Sequence, residues 1–287
     1  MKKVSGEINC NRFIVPYRKY GNANKAIICI SGAKQTMSAW RSFISYFHHE
    51  YSVVVFDMPG QGRAQIISGP AGVSLDEQIE VLNQVVLEAL DDTVIERCVF
   101  GGSWGSIVAA AFAERHPDVF DKVILGSFGT KPNMVLSSII DQVQAMIGGG
   151  CEKDIAPMMI EKFGQYIPEI LKRQIIAQFD KMTDAQFQSF YEHSVFVTQM
   201  GDLKTLVNLN NIQAPTLVVM GQYDTIMDLF DTRKATKLIP NGEFLLIKGA
   251  GHFLHWEKEK ILSVYKDFFQ RKVIDSKTSI TTMGECS

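Results

Sequence analysis

Short, almost continuously apolar runs alternate along the chain with segments whose apolar residues recur every three or four positions. The runs at residues 26–30, 52–56, 97–100, 122–125, 216–220 and 243–247 are short and rich in Val, Ile, Leu and Phe, the pattern of strands buried on both faces. Between them, 75–90 spaces Ile79, Leu82, Val86 and Leu90 as one face of a helix, 103–114 follows a strand directly, and 261–269 closes the pattern with an amphipathic helix. Strands alternating with helices predict an α/β fold, a mostly parallel sheet with helices on both faces.

The alternation stops between 130 and 212. No strand pattern is evident there, and helix-like pieces are separated by Gly148-Gly149-Gly150, Pro157 and Pro168. The expected organisation is therefore a core of 1–129 and 213–272 with a helical lid insertion at 130–212. The insertion holds Met134, Met146, Met158, Met159, Met182 and Met200 together with Phe163, Phe187, Phe190 and Phe196. These side chains either pack the insertion onto the core or line an adaptable apolar pocket, and Met158 and Phe187 are the trial positions for the second role. Residues 273–287 are polar and without period, and are expected to be disordered.

Composition narrows the function. A length of 287 residues with 46% hydrophobic and 21% charged content excludes fibrous and largely disordered classes. The 29 basic and 31 acidic side chains give a net charge of -2, far from the basic balance of nucleic-acid binders, so small molecules are the expected partners. Cys10, Cys29, Cys98, Cys151 and Cys286 are scattered, without C-x-x-C spacing, and read as reduced thiols rather than disulfides or a metal site. No apolar stretch follows Lys2-Lys3 and no run is long enough to span a bilayer, so a cytoplasmic protein without a transmembrane segment is expected.

The chemistry begins at Gly101-Gly102-Ser103-Trp104-Gly105, between a strand and a helix. Flanking glycines allow a sharp turn that lifts the Ser103 hydroxyl out of the backbone, the context of a nucleophile elbow. A serine hydroxyl needs a base, and the base needs an orienting group. His252 in Gly249-Ala250-Gly251-His252 and Asp224 in Gly221-Gln222-Tyr223-Asp224 both follow strands, where open α/β sheets build their sites. His255 is the rival base and Asp228 the rival acid, although Asp228 also suits the N-cap of the next helix. His48, His49, His116 and His193 lack the loop context. The backbone N-H groups of Trp104 and of Ala33, in Ser31-Gly32-Ala33, are the expected oxyanion donors.

Ser31-Gly32, the turn Asp57-Met58-Pro59-Gly60-Gln61-Gly62, the Ser103 elbow, Asp224 and Gly251-His252, in this order, resemble the α/β-hydrolase superfamily. Many members have His-Gly where Ser31-Gly32 stands. The resemblance implies that Asp57 is a scaffold residue beside the site. Within the superfamily the chain is similar to acyltransferases that make 3-(3-hydroxyalkanoyloxy)alkanoic acids. That similarity rests on Gly32-Ala33, the segment from Val53 to Pro59, Ser103-Trp104-Gly105, Gly164-Gln165-Tyr166-Ile167-Pro168 with Leu171-Lys172, and Gly251-His252-Phe253-Leu254 with Glu257. It departs from them at Gly60, where they have Phe, and at Ser31, where they have Asn.

The resemblance implies a serine acyl enzyme that takes a 3-hydroxyacyl group from a thioester and joins it to a second hydroxyacyl unit, without cofactor or metal. Hydrolysis of an ester or thioester by the same residues is the alternative, and a non-catalytic binding protein the third reading. An aminopeptidase would want carboxylates in the insertion, for which Glu161, Glu169 and Glu192 are available. The donor thioester could be carried on acyl carrier protein or on coenzyme A. An acidic carrier would favour a basic pocket mouth, yet 130–212 has seven basic and nine acidic residues, and only Lys172-Arg173 forms a local basic pair.

Overall fold

Each of the six apolar runs becomes a strand of one sheet in the computed structural model, which describes residues 2–271. The strands are β1 Lys3–Cys10, β2 Phe13–Tyr20, β3 Lys25–Ile30, β4 Ser52–Phe56, β5 Gln65–Ile66, β6 Glu96–Gly102, β7 Lys122–Gly126, β8 Thr216–Gly221 and β9 Gly242–Ile247. The helices are α1 Arg41–Phe47, α2 Leu75–Ala89, α3 Trp104–Arg115, α4 Met134–Gly149, α5 Ile155–Phe163, α6 Glu169–Phe179, α7 Asp184–Met200, α8 Leu229–Thr236 and α9 Ile261–Gln270. The expected disordered segment 273–287 lies outside the described residues.

The sheet runs in the order β1-β2-β4-β3-β6-β7-β8-β9, with β5 paired to β2. All pairs from β4 to β9 are parallel, so the carboxyl ends of β6, β8 and β9 point the same way. That end is where the candidate residues emerge. β1 and β2 form an antiparallel hairpin that the sequence pattern does not announce. In β1 only Ile8 and Cys10 are buried, and Pro16 interrupts β2, so neither reads as a continuous apolar run. The hairpin turns at Asn11, whose φ of 51° is one that asparagine tolerates.

Two apolar layers clasp the sheet. α2 and α3 cover one face through Val81, Leu82, Val85 and the run Val108 to Phe112. α1 and α9 cover the other through Phe43, Phe47, Leu262, Tyr265 and Phe269. Helix α2 starts where its sequence signals it: the Ser74 hydroxyl accepts from the Glu77 N-H while the Glu77 carboxylate accepts from the Ser74 N-H.

Between β7 and β8 the described chain is helical and contains no strand. α4 to α7 build a third apolar cluster from Ile139, Val143, Ile155, Met158, Phe163, Phe179 and Phe190. Among the described residues, no helix is long and apolar enough to cross a membrane.

Candidate active site

Ser103 sits between the last residue of β6 and the first of α3, with φ 52° and ψ -122°. A non-glycine residue held in this region is strained, and the surroundings enforce it. The Ser103 N-H donates to the Gly126 carbonyl at 2.8 Å. A side chain on Gly101 would collide with the Gly105 carbonyl, and one on Gly105 with the Ile30 carbonyl. The two glycines thus let strand, turn and helix pack closely enough to present the hydroxyl above the sheet.

The structure brings the three expected side chains together. His252 Nε2 lies 2.9 Å from Ser103 Oγ, and His252 Nδ1 lies 2.8 Å from Asp224 Oδ2. Asp224 Oδ1 accepts from the N-H groups of Ile226 and Met227 at 3.1 and 3.2 Å, which orients the carboxylate. The histidine loop is held twice. Ser127 Oγ donates to the His252 carbonyl at 2.6 Å, and the Glu257 carboxylate accepts from the Gly251 and Phe253 N-H groups on either side. Both His252 and Asp224 are buried, with Phe163 and Phe253 edge-on to the imidazole at 5.5 and 5.4 Å. An imidazole set between a hydroxyl and a shielded carboxylate can take the hydroxyl proton and remain oriented while charged.

Ala33 and Trp104 both border the same space as Ser103. On the β3 loop the Gly32 N-H donates to Gln35 Oε1 at 3.1 Å and the Lys34 N-H to Gln61 Oε1 at 2.8 Å. The Ala33 N-H between them, like that of Trp104, has no protein acceptor among the described residues. Ser31 is buried, and its hydroxyl accepts the Trp40 indole N-H at 2.9 Å.

The alternative candidates occupy other places. Asp228 caps α8, accepting the Asp231 N-H at 2.7 Å. Asp57 accepts from the N-H groups of Met37 and Arg63 and stitches two loops, while burial pushes its carboxyl up. His255 is stacked on Trp40 at 5.4 Å, and burial pushes it down to about 4. His48 and His116 cap the ends of α1 and α3. His255 and His193 both border the cavity over Ser103, and the His193 ring also stands against that of Trp104.

That cavity measures about 930 Å³, near the upper end of small-molecule sites, and its wall is mostly apolar. Of the insertion residues named from sequence, Met159, Met200, Phe163 and Phe190 line it. Met158 and Phe187 do not; they pack among the helices with Met146 and Met182, so the trial positions for a pocket role are corrected to Met159 and Phe190. Met134 is 90% exposed. Among the described residues Glu161, Glu169 and Glu192 do not line the wall, and Glu259 is the only acid that does. The exposed lining residues include Arg41, Lys131 and Lys181, none in an ion pair among the described residues, whereas Lys172 of the expected basic pair is tied to Glu169.

Lys34 escaped the sequence pattern because a lone lysine in a loop reads as solvated. It is 5% exposed, its Nζ donates to the Gly60 carbonyl at 2.8 Å and Ser189 Oγ at 3.3 Å, and the Phe190 ring lies 5.6 Å away. Burial pushes its amine down to about 7.

The description of the α/β hydrolase fold matches residues 25–145 and 158–259. The chain belongs to the α/β-hydrolase fold family. It is similar, at 22% identity over 240 residues, to the (R)-3-hydroxydecanoyl-ACP:CoA transacylase of Pseudomonas aeruginosa, spanning 83% of this chain and 79% of that one. It is also 24% identical over 276 residues to a 2-hydroxy-6-oxononadienedioate/2-hydroxy-6-oxononatrienedioate hydrolase of Paraburkholderia phymatum, spanning 88% and 90%. The enol-lactonase of Burkholderia xenovorans LB400 superposes with a TM-score of 0.79 at 15% identity, covering 93% of this chain and all of that one, a likeness of fold. Relatives of this chain are therefore enzymes of both transfer and hydrolysis.

Proposed function

We propose that the protein is a serine acyltransferase that moves a 3-hydroxyacyl group from a thioester, carried on acyl carrier protein or coenzyme A, to the hydroxyl of a second hydroxyacyl unit. The observation that carries this reading is the bonded sequence Ser103, His252, Asp224 at the floor of a large, mostly apolar cavity. Ser103 Oγ attacks the thioester carbonyl and its proton passes to His252 Nε2. The Ala33 and Trp104 N-H groups take the oxyanion, and Asp224 stabilises the imidazolium. Collapse breaks the C-S bond, and the thiol leaves with the proton from His252. The acceptor hydroxyl then gives its proton to His252 and attacks the acyl-serine, so an ester forms and Ser103 is restored. No cofactor or metal enters the scheme.

Residues 130–212 act in this reading as a lid over a core formed by 1–129 and 213–272, excluding water while the acyl-serine waits for its acceptor. The exposed lining cations Arg41, Lys131 and Lys181, against Glu259 alone among the described lining residues, suit an anionic thioester carrier. Hydrolysis is the second reading, favoured by the hydrolases among the relatives. The two separate by product. Incubation with 3-hydroxyacyl thioesters of several lengths, followed by mass spectrometry, should yield the dimeric ester at some length; free acid alone at every length would leave the hydrolase reading standing instead.

A further inference from the structure

Helix α7 turns Phe190, His193, Ser194, Val197 and Met200 toward the cavity at steps of three or four residues. Among these, His193 is the one whose side chain has unspent hydrogen-bonding capacity. Its ring stands 4.4 Å from the Trp104 ring at 82°, and no protein hydrogen bond reaches it among the described residues. Other polar side chains of the same wall already have partners. Ser194 donates to the Tyr191 carbonyl at 2.6 Å, Gln178 to the Lys34 carbonyl at 2.5 Å, and the Trp104 indole N-H to Gln78 Oε1 at 2.7 Å. Burial, with a smaller contribution from Lys34, pushes His193 down to about 3, so at neutral pH it is an uncharged imidazole with one donor and one acceptor nitrogen.

His193 is half-buried at the cavity wall, so its nitrogens are open to a ligand, and a ligand group that pairs with them gains hydrogen bonds that an apolar group does not. The complement of a donor beside an acceptor is an alcohol, which both gives and accepts. A carboxylate would satisfy only the N-H and face a lone pair at the other nitrogen, and an alkyl chain would satisfy neither. Ser103, Trp104 and His193 line the same cavity, so a polar group against the Trp104 ring shares that space with the nucleophile.

We propose that His193 is a specificity-determining residue that hydrogen-bonds the hydroxyl of the acyl group attached to Ser103, so that the cavity selects hydroxyacyl over unsubstituted acyl chains. This rests on Ser103 forming an acyl-enzyme. Lys34, whose amine already serves Gly60 and Ser189, supports the wall beneath Phe190.

The test compares kcat/KM for a 3-hydroxyacyl thioester and the unsubstituted acyl thioester of equal length in wild type, His193→Phe and His193→Gln. The wild type should favour the hydroxyacyl substrate by about tenfold or more, the value of one buried hydrogen bond. His193→Phe should erase that ratio, and His193→Gln, which keeps a donor and an acceptor, should restore part of it. An unchanged ratio in His193→Phe overturns the inference, as does an equal loss for both substrates. A second measurement leaves His193 intact. In Ser103→Ala protein, the ¹⁵N imidazole resonances of His193 should move on adding the hydroxyacyl thioester and not the plain one; equal movement with both overturns the assignment. Intact mass separates the two levels of the argument. If Ser103 is acylated by neither thioester, the acyl-enzyme reading falls and this inference with it; if it is acylated by both with an indifferent His193, this inference falls alone.

Discussion

The carboxylate of Asp224 is divided between two tasks: Oδ2 lies 2.8 Å from His252 Nδ1, and Oδ1 accepts the N-H groups of Ile226 and Met227. The loop bonds fix which oxygen faces the imidazole. Asp224→Asn can keep them through its carbonyl oxygen, which places an NH₂ against Nδ1 and drives the histidine proton to Nε2. A histidine protonated there cannot accept from Ser103. Turnover should fall by about 10⁴ while the thermal midpoint stays near the wild-type value. Stopped kinetics and a melting curve on the same preparation check both halves, and near-normal turnover would remove Asp224 from the site.

Lys34 predicts a pH-dependent stability. Its amine is pushed down to about 7 in the fold, whereas in the unfolded chain a lysine titrates near about 10.4. Between those values the unfolded chain binds more protons, so the fold gains stability as pH rises. Denaturant melts of wild type and Lys34→Met, run side by side, cancel the other titrating groups. The wild-type stability relative to the variant should grow by about 2 kcal/mol from pH 7 to 9. A flat difference would mean that the amine is solvated.

Met158 and Met159 are neighbours in α5 with opposite surroundings, the first packed in the helical cluster and the second in the cavity wall. Met159→Gln should therefore admit water and raise the ratio of free hydroxy acid to dimeric ester. Met158→Gln should cost about 2 kcal/mol of stability and leave that ratio alone. Product partition under single-turnover conditions, with melts of both variants, distinguishes them; the same partition change in both would dissociate wall position from product choice.

The central strands and the residues around Ser103 were legible because each announces itself locally. A strand buried on both faces is a continuous apolar run, and an elbow needs glycines at fixed offsets, as Gly101 and Gly105 demonstrate. His252 and Asp224 follow from the rule that sites form at carboxyl ends of parallel strands. The β1-β2 hairpin was not legible, since an edge hairpin with only part of one face buried dilutes its alternation and Pro16 breaks it further. The cavity wall was half legible. A methionine in an amphipathic helix has the same spacing whether it meets another helix or an empty space, so Met158 and Met159 could not be told apart. Lys34 and His193 were missed for a related reason. Their burial arises where the β3 loop meets α7, a contact across more than 150 residues that no local pattern records.

The account depends most directly on an acyl group reaching Ser103. Rapid mixing of the protein with a 3-hydroxyacyl thioester, acid quench at successive times and mass analysis of the peptides tests this. The account predicts a hydroxyacyl adduct on the peptide containing Ser103 that forms before product, decays as dimeric ester accumulates, and is absent in Ser103→Ala. Product accumulating with no adduct on that peptide, or formed by Ser103→Ala at the wild-type rate, would contradict it.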